Sequence, residues 1–327
     1  MTLSESALLR EAAATGFQPE SLEKVYRLLE LLNGFRSHPF LKSRFALKGG
    51  TGLNLFIFNV PRLSVDLDLN YIGTVDREAM LDERPKIEKA VEDVCGRLGI
   101  SVRRAPSEHA GGKWRMSYMT AFGRTGTLEL DINFLLRSPL WPSVISDSRE
   151  IGTFSATNVP LLDIHELEAG KLAALFSRNA SRDLFDVREL FRQKEFDAAK
   201  LRIAFVVYGG INRRDWREIG IEEVKADPVD VDRMLLPMLR ADLAPSKDRI
   251  KKWSEELRAE CHERLSAILP LSDVEVEFLT QLNDRGIIAP ELLTRDDRLR
   301  EIICNHPGLR WKAVNVRKYR GLSEDGE

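Results

Sequence analysis

Asp66 and Asp68 stand two residues apart in RLSVDLDLNYIG, residues 62–73, interleaved with Val65, Leu67 and Leu69. Alternate residues of a strand share a face. Asp66, Asp68 and Asn70 therefore fall on one side and the aliphatic residues on the other. Adjacent carboxylates repel and resist desolvation. A divalent cation relieves both costs, and Mg²⁺ takes oxygen ligands with phosphate as co-ligand. A solvated acidic edge strand carries the same pattern. TLELDINFLL, residues 127–136, repeats it: Glu129, Asp131 and Asn133 share one face. If the two strands pair, Asp131 reaches the first pair. Three carboxylates on neighbouring strands suit two-metal phosphoryl or nucleotidyl transfer. Asp131 as an ordinary surface residue is the alternative.

Upstream lies LKGGTGL, residues 47–53. A strand running through Gly49-Gly50 into a helix offers bare backbone N–H groups to phosphate. Thr51 is a candidate N-cap or a hydroxyl contact to phosphate. The stretch matches neither the P-loop nor the dinucleotide-binding fingerprint. Arg62 and Ser64 can contact phosphate or pin the loop.

The run KGGTGLNLFIFNVPRLSVDLDLNYIG resembles the AbiEii/AbiGii toxin motif: GGT, a short helix, then R-x-S-x-D-x-D. That family belongs to the DNA polymerase beta-like nucleotidyltransferases and includes the MenT toxins of type IV toxin–antitoxin systems. Gly52 departs from the alanine common there, which weakens the first helical turn. The resemblance returns over residues 163–191, where the family carries a lysine and R-D-x-x-D on helices. Lys171, Arg182, Asp183 and Asp186 match. It implies a Mg²⁺-dependent toxin that moves NMP from an NTP to an RNA 3′-end, tRNA above all, and is restrained by a cognate antitoxin. Asp66, Asp68 and Asp131 hold metal in that scheme. Gly49, Gly50, Thr51, Arg62 and Ser64 bind nucleotide. Lys171 offsets triphosphate charge, Asp183 or Asp186 orients Lys171, Arg182 or a substrate group, and Arg182 and Asp183 join the nucleotide-binding set. Two alternatives stand beside it: transfer to a protein hydroxyl, and a non-catalytic nucleotide-binding protein.

Helical spacing taken alone sets Lys171 on the apolar stripe of DIHELEAGKLAALFS, with Leu167 and Leu175. There it either snorkels or neutralises a buried acid. Asp183 and Asp186 fall near the buried face of SRDLFDVRELF, which Ser181 can cap. Two basic-aromatic clusters are candidate RNA contacts. One is His306, Arg310, Trp311, Lys312, Arg317, Lys318, Tyr319 and Arg320; the other is Arg213, Arg214, Trp216 and Arg217. Basic groups neutralise phosphates and aromatics stack on bases, although solvated basic faces read the same way.

These residues need a sheet and helices to hold them. Apolar spacing predicts a helix over 20–35, a short strand into Gly49-Gly50, a short helix, a strand over 65–71 and a long helix over 76–98. Strand-like runs follow at 100–105, 114–122 and 127–136, punctuated by glycines as an antiparallel meander. From 163 onward the signal turns helical, at 163–177, 182–193, 197–207, 229–241, 246–268, 272–284 and 296–305. The expectation is an α+β protein. A nucleotidyltransferase-like domain over 1–160, built on a small mixed sheet, precedes a helical domain over 161–327 that closes over the site. The tail ends in acidic SEDGE.

The 327 residues carry a net charge of −2, which excludes a polycationic coat. Cys95, Cys261 and Cys304 form no paired motif, which points to a reducing compartment. No signal peptide or membrane span is evident, so a cytoplasmic protein is expected.

Overall fold

The computed structural model describes residues 3–105, 111–192 and 197–322. The acidic end, residues 323–327, and the last residue of the helix expected over 182–193 lie outside them. The fold is mixed α+β. The chain divides into two compact units: residues 1–137, 142–162 and 232–247 form one, and 138–141, 163–231 and 248–327 the other.

The first unit is built on a sheet of β1 (Phe45–Lys48), β2 (Asp66–Tyr71), β3 (Ser101–Arg104), β4 (Gly111–Met119), β5 (Thr125–Asn133), β6 (Val144–Ser146) and β7 (Val159–Leu161). Among the described residues the strand order is β3-β4-β5-β2-β1-β7-β6. The expected meander is there, β3 to β4 to β5, all antiparallel. β5 then lies parallel to β2, and β2 antiparallel to β1. Leu47, Leu67, Leu69, Trp114, Leu130 and Ile132 point to the core face and are 0–1% exposed. Each such side chain stabilises the fold by about 1.5–3 kcal/mol. The helices Pro19–Ser37 and Arg77–Arg97 supply Leu28, Leu29, Val91 and Val94 to this core. They cross at Gly34, where an added Cβ would lie 2.7 Å from Val94 Cγ1.

Three features of this unit differ from expectation. β6 and β7 are three residues each, too short for alternation to announce them. β4 starts at Gly111, so the glycines expected as a turn are strand residues. Gly111 has φ +106, and a Cβ there would meet the Ile132 carbonyl at 2.0 Å. The helix expected over 229–241 is instead a run of short turns, Pro228–Asp230, Val231–Leu235, Leu236–Met238 and Ala241–Leu243. Pro237 removes a donor and blocks helical φ/ψ before it. Residues 232–247 cluster with the sheet unit, and part of this stretch straps the Asn59–Ser64 loop. Leu63 N donates to Met238 O at 2.8 Å, Arg240 N to Pro61 O at 3.1 Å and Arg240 Nη1 to Asn59 O at 3.1 Å. The strap holds Val60 at φ 47, a strained conformation for a β-branched residue that costs of order 1–3 kcal/mol.

The second unit is helical. Ile164–Arg178, Ser181–Phe191, Ala198–Ile211, Ile250–Leu265, Asp273–Thr280, Asp297–Cys304 and Pro307–Arg320 are its main helices. Phe176, Phe205 and Trp216 form an aromatic centre with centroids 5.3–6.0 Å apart. Gly209 makes room for it: a Cβ there would lie 2.0 Å from Trp216 Cδ1. Two acids are buried on the first helix. Glu166 accepts from Tyr208 Oη at 2.7 Å and from Trp141 N at 3.2 Å. Burial outweighs these bonds and pushes its carboxyl up to about 7. Burial pushes Glu168 up to about 7 as well, against the pull of His165. Cys95 and Cys261 are buried free thiols, whose pKa burial raises.

Candidate active site

The strand register decides what the carboxylates can do together. In the parallel β2–β5 ladder Asp68 lies opposite Asp131, and Asp66 opposite Glu129. Cross-strand partners point to one face, with Cα atoms about 4.8 Å apart. Asp66 and Asp68 sit on that face roughly 6.8 Å apart along the strand. All three aspartates are half-buried. Among the described residues none of their side chains makes a hydrogen bond or ion pair with a protein group. Like charges set opposite each other destabilise a sheet, so this row needs a countercharge.

Part of the countercharge comes from residues the sequence did not single out. Lys48 on β1 lies opposite Asp68, and Lys113 on β4 opposite Asp131. The row therefore reads Lys48, Asp68, Asp131, Lys113 across four strands. Lys113 Nζ donates to Glu129 Oε2 at 2.5 Å. That bond, with weaker fields from Asp66 and Asp68, raises the Lys113 pKa.

β1 runs directly into the helical turn Gly49–Gly52, which continues as Leu53–Ile57. Gly49 has φ +71, and a Cβ there would lie 2.3 Å from Asp68 Oδ2. Only glycine allows this approach of backbone to carboxylate. A Cβ on Gly50 would lie 2.8 Å from Ser64 Oγ and 3.1 Å from Arg62 Nη2. The structure thus brings Gly49, Gly50, Arg62, Ser64 and Asp68 together. Arg62 is 2% exposed, and Arg62 Nη1 donates to Leu63 O at 2.8 Å. Thr51 is not an N-cap. It sits inside the turn, fully buried, and its hydroxyl donates to Asp66 O at 2.5 Å. It ties the glycine turn to the carboxylate strand.

The donor set facing this cradle is all oxygen, as a hard divalent cation requires. Among the described residues no group of three or more His, Cys, Asp or Glu side chains is closed around a cation position. Mg²⁺ commonly binds through one or two carboxylates and completes its shell with substrate phosphate and water. An open aspartate row beside a glycine turn fits that mode.

In the helical unit Lys171 Nζ lies 2.9 Å from Asp183 Oδ1 and 2.9 Å from Asp186 Oδ2. Arg178 Nε adds a 2.6 Å bond to Asp183 Oδ2. Both aspartates are fully buried. Burial alone would raise Asp183, but Lys171 and Arg178 outweigh it and hold the carboxyl at about 2. Two cations and two anions close into a quartet. Arg182 is half-buried, and among the described residues it makes no hydrogen bond or ion pair. Ser181 does not cap its helix. Ala180 is the cap residue, while Ser181 N and Oγ donate to Asp230 at 2.7 and 3.2 Å.

The two basic clusters fare differently. Trp216 is fully buried, Arg214 pairs with Glu223, and Arg217 pairs with Asp215 and Asp284 at 2.6 Å each. This cluster is framework, with only Arg213 left exposed. In the C-terminal helix His306 is a buried N-cap, and Lys312 and Arg317 donate to the carbonyls of Asn212 and Gly286. Arg310, Trp311, Lys318, Tyr319 and Arg320 remain exposed.

The family model for "Nucleotidyl transferase AbiEii toxin, Type IV TA system" matches residues 30–263, well over half of the chain. The chain belongs to this family. A nucleotidyltransferase of this family uses a nucleotide donor and divalent metal, and a type IV system implies an antitoxin partner. Among solved structures the AbiEii chain is similar to MenT4, the nucleotidyltransferase toxin Rv2826c from Mycobacterium tuberculosis H37Rv. The match has a TM-score of 0.57 at 18% identity and covers 94% of this chain and 99% of that one, so it speaks for the fold. No curated protein matches the sequence. No described helix is long and apolar enough to cross a membrane.

Proposed function

We propose that this toxin transfers NMP from an NTP to the 3′-hydroxyl of an RNA, with tRNA as the foremost acceptor. The observation that carries the reading is the register of Asp68 opposite Asp131, with Gly49 backbone pressed against Asp68. Asp66, Asp68 and Asp131 would hold Mg²⁺, which supplies charge neutralisation at the reacting phosphate. The Gly49-Gly50 turn offers N–H groups to the triphosphate, flanked by Ser64 and by the buried guanidinium of Arg62. Thr51 keeps this turn fixed to the strand bearing Asp66.

The acceptor oxygen attacks the α-phosphorus in line. The new P–O bond forms as the bond to the β-phosphate oxygen breaks, and pyrophosphate leaves with the electron pair. Asp131 takes the hydroxyl proton. Of the helical set, Arg182 has charge to offer an anion, while Lys171, Asp183 and Asp186 stabilise their own helix pair. A cognate antitoxin restrains the enzyme.

The test is incubation of purified protein with Mg²⁺, each α-labelled NTP and total tRNA. Label should enter RNA for wild type and not for Asp68→Ala. Label entering protein instead, or no dependence on Asp68, overturns the reading.

A further inference from the structure

The sheet carries charge beyond the aspartate row. β4 alternates Lys113, Arg115 and Ser117 on one face and Trp114, Met116 and Tyr118 on the other. The second set is buried at 1–5% exposure. The first set shares the aspartate face, because Lys113 lies opposite Asp131 and Arg115 opposite Glu129. β3, the edge strand, extends the pattern. Its register shifts between Val102 and Arg104, and Arg104 lies opposite Arg115. The shift turns two consecutive arginines to the same side: Arg103 Nε donates to Ser117 Oγ at 2.9 Å while Arg104 pairs with Arg115. Bulges re-aim side chains in this way.

Two arginines set directly opposite each other cost stability. Glu92 lines the same surface pocket as Arg104, yet among the described residues no acid forms an ion pair with either arginine. Glu129, the one acid opposite Arg115, is taken by Lys113 at 2.5 Å. Arg104 and Arg115 are exposed, and among the described residues neither makes a hydrogen bond or ion pair. Unpartnered opposed guanidinium groups on a sheet face are the chemistry of an anion site, and guanidinium suits phosphate.

Which anion follows from strand order. The glycine turn follows β1, the aspartates lie on β2 and β5, and the arginines on β4 and β3. The donor's phosphates belong to the β1 side. An in-line reaction brings the acceptor from the opposite side of the reacting phosphorus.

We infer that Arg104 and Arg115 bind the phosphodiester backbone of the acceptor strand and deliver its 3′-end to the aspartate row. This assignment rests on the transferase reading above. It gives the acceptor a chemical class, a polynucleotide end with phosphates behind it, because a protein hydroxyl carries no such row of charges.

The test is the double variant Arg104→Gln/Arg115→Gln, with its thermal midpoint checked against wild type. Binding of a short fluorescein-labelled oligoribonucleotide is followed by anisotropy across a salt series, without NTP. Losing two single-strand phosphate contacts lowers the slope of log K against log salt by about 1.4. In turnover the KM for RNA rises and the KM for NTP holds. Unchanged affinity and slope overturn the inference, as does a raised KM for NTP, which would place the strip on the donor. If wild type transfers nothing to RNA yet binds the oligoribonucleotide with the slope difference intact, the strip stands and the transferase reading falls. If wild type binds no oligoribonucleotide, the strip falls.

Discussion

Two acidic sets in this chain have opposite fates. On the sheet, Asp66, Asp68 and Asp131 are half-buried, share a face and lack protein partners among the described residues. In the helical unit, Asp183 and Asp186 are fully buried and fastened to Lys171, with Arg178 closing the set. The first arrangement is only partly offset by Lys48 and Lys113, which is tolerable where solvent and a ligand cation reach it. The second neutralises charge inside the protein and leaves little for a ligand. Carboxylates at similar sequence spacing thus do different work, and the difference lies in which cations the fold brings to them.

Asp68→Asn should lower transfer by about 10³-fold, the scale of losing a group that stabilises developing charge, while the unfolding midpoint holds or rises. A large loss of stability would mean that the sheet set is framework. Lys171→Ala removes the cation shared by two buried carboxylates and should destabilise the protein by about 3–5 kcal/mol, read by denaturant titration. Loss of activity at full stability would instead make Lys171 a ligand-binding group.

Gly49→Ala sharpens the sheet side. Its φ of +71 and the 2.3 Å approach to Asp68 Oδ2 forbid a methyl group without displacing the carboxylate. The backbone cost is about 1–2 kcal/mol, and transfer should fall by more than that stability loss implies.

Glu168→Gln sharpens the helical side through pH. Its folded pKa, about 7, lies above its ordinary 4.5. The native state therefore binds more protons than the unfolded chain between these values. The associated stability is present below about 4.5 and is lost as pH rises through about 7. The variant should be more stable than wild type by about 1–3 kcal/mol at pH 8 and no more stable at pH 4. Equal differences at both pH values would refute the assignment. Asp183 has the reverse sign. Its depressed pKa contributes stability above about 3.8 that is lost as pH falls towards about 2.

What the sequence disclosed is what depends on local periodicity. Alternation set Asp66, Asp68 and Asp131 on strand faces, and helical spacing placed Lys171, Asp183 and Asp186 near a buried stripe. The missing parts depend on contacts between distant segments. Lys48 and Lys113 became site residues only through the register of β1 and β4, and Gly111 hid the start of β4 by looking like a turn. Arg178 joins the quartet across a helix junction, which spacing within either helix does not reveal. The strap over 236–241 was concealed by prolines that make a helix pattern unworkable. Trp216 and Arg217 looked like a nucleic-acid surface because composition cannot tell an exposed aromatic from a buried one.

That strap has a consequence for synthesis. The Asn59–Ser64 loop donates from Leu63 N to Met238 O and accepts from Arg240 at Pro61 and Asn59, partners some 175 residues further along the chain. A nascent polypeptide leaving the ribosome presents the glycine turn and its aspartates early, but cannot lock the loop beside them until that later stretch has emerged. Ribosome-bound fragments ending before it should therefore transfer no nucleotide.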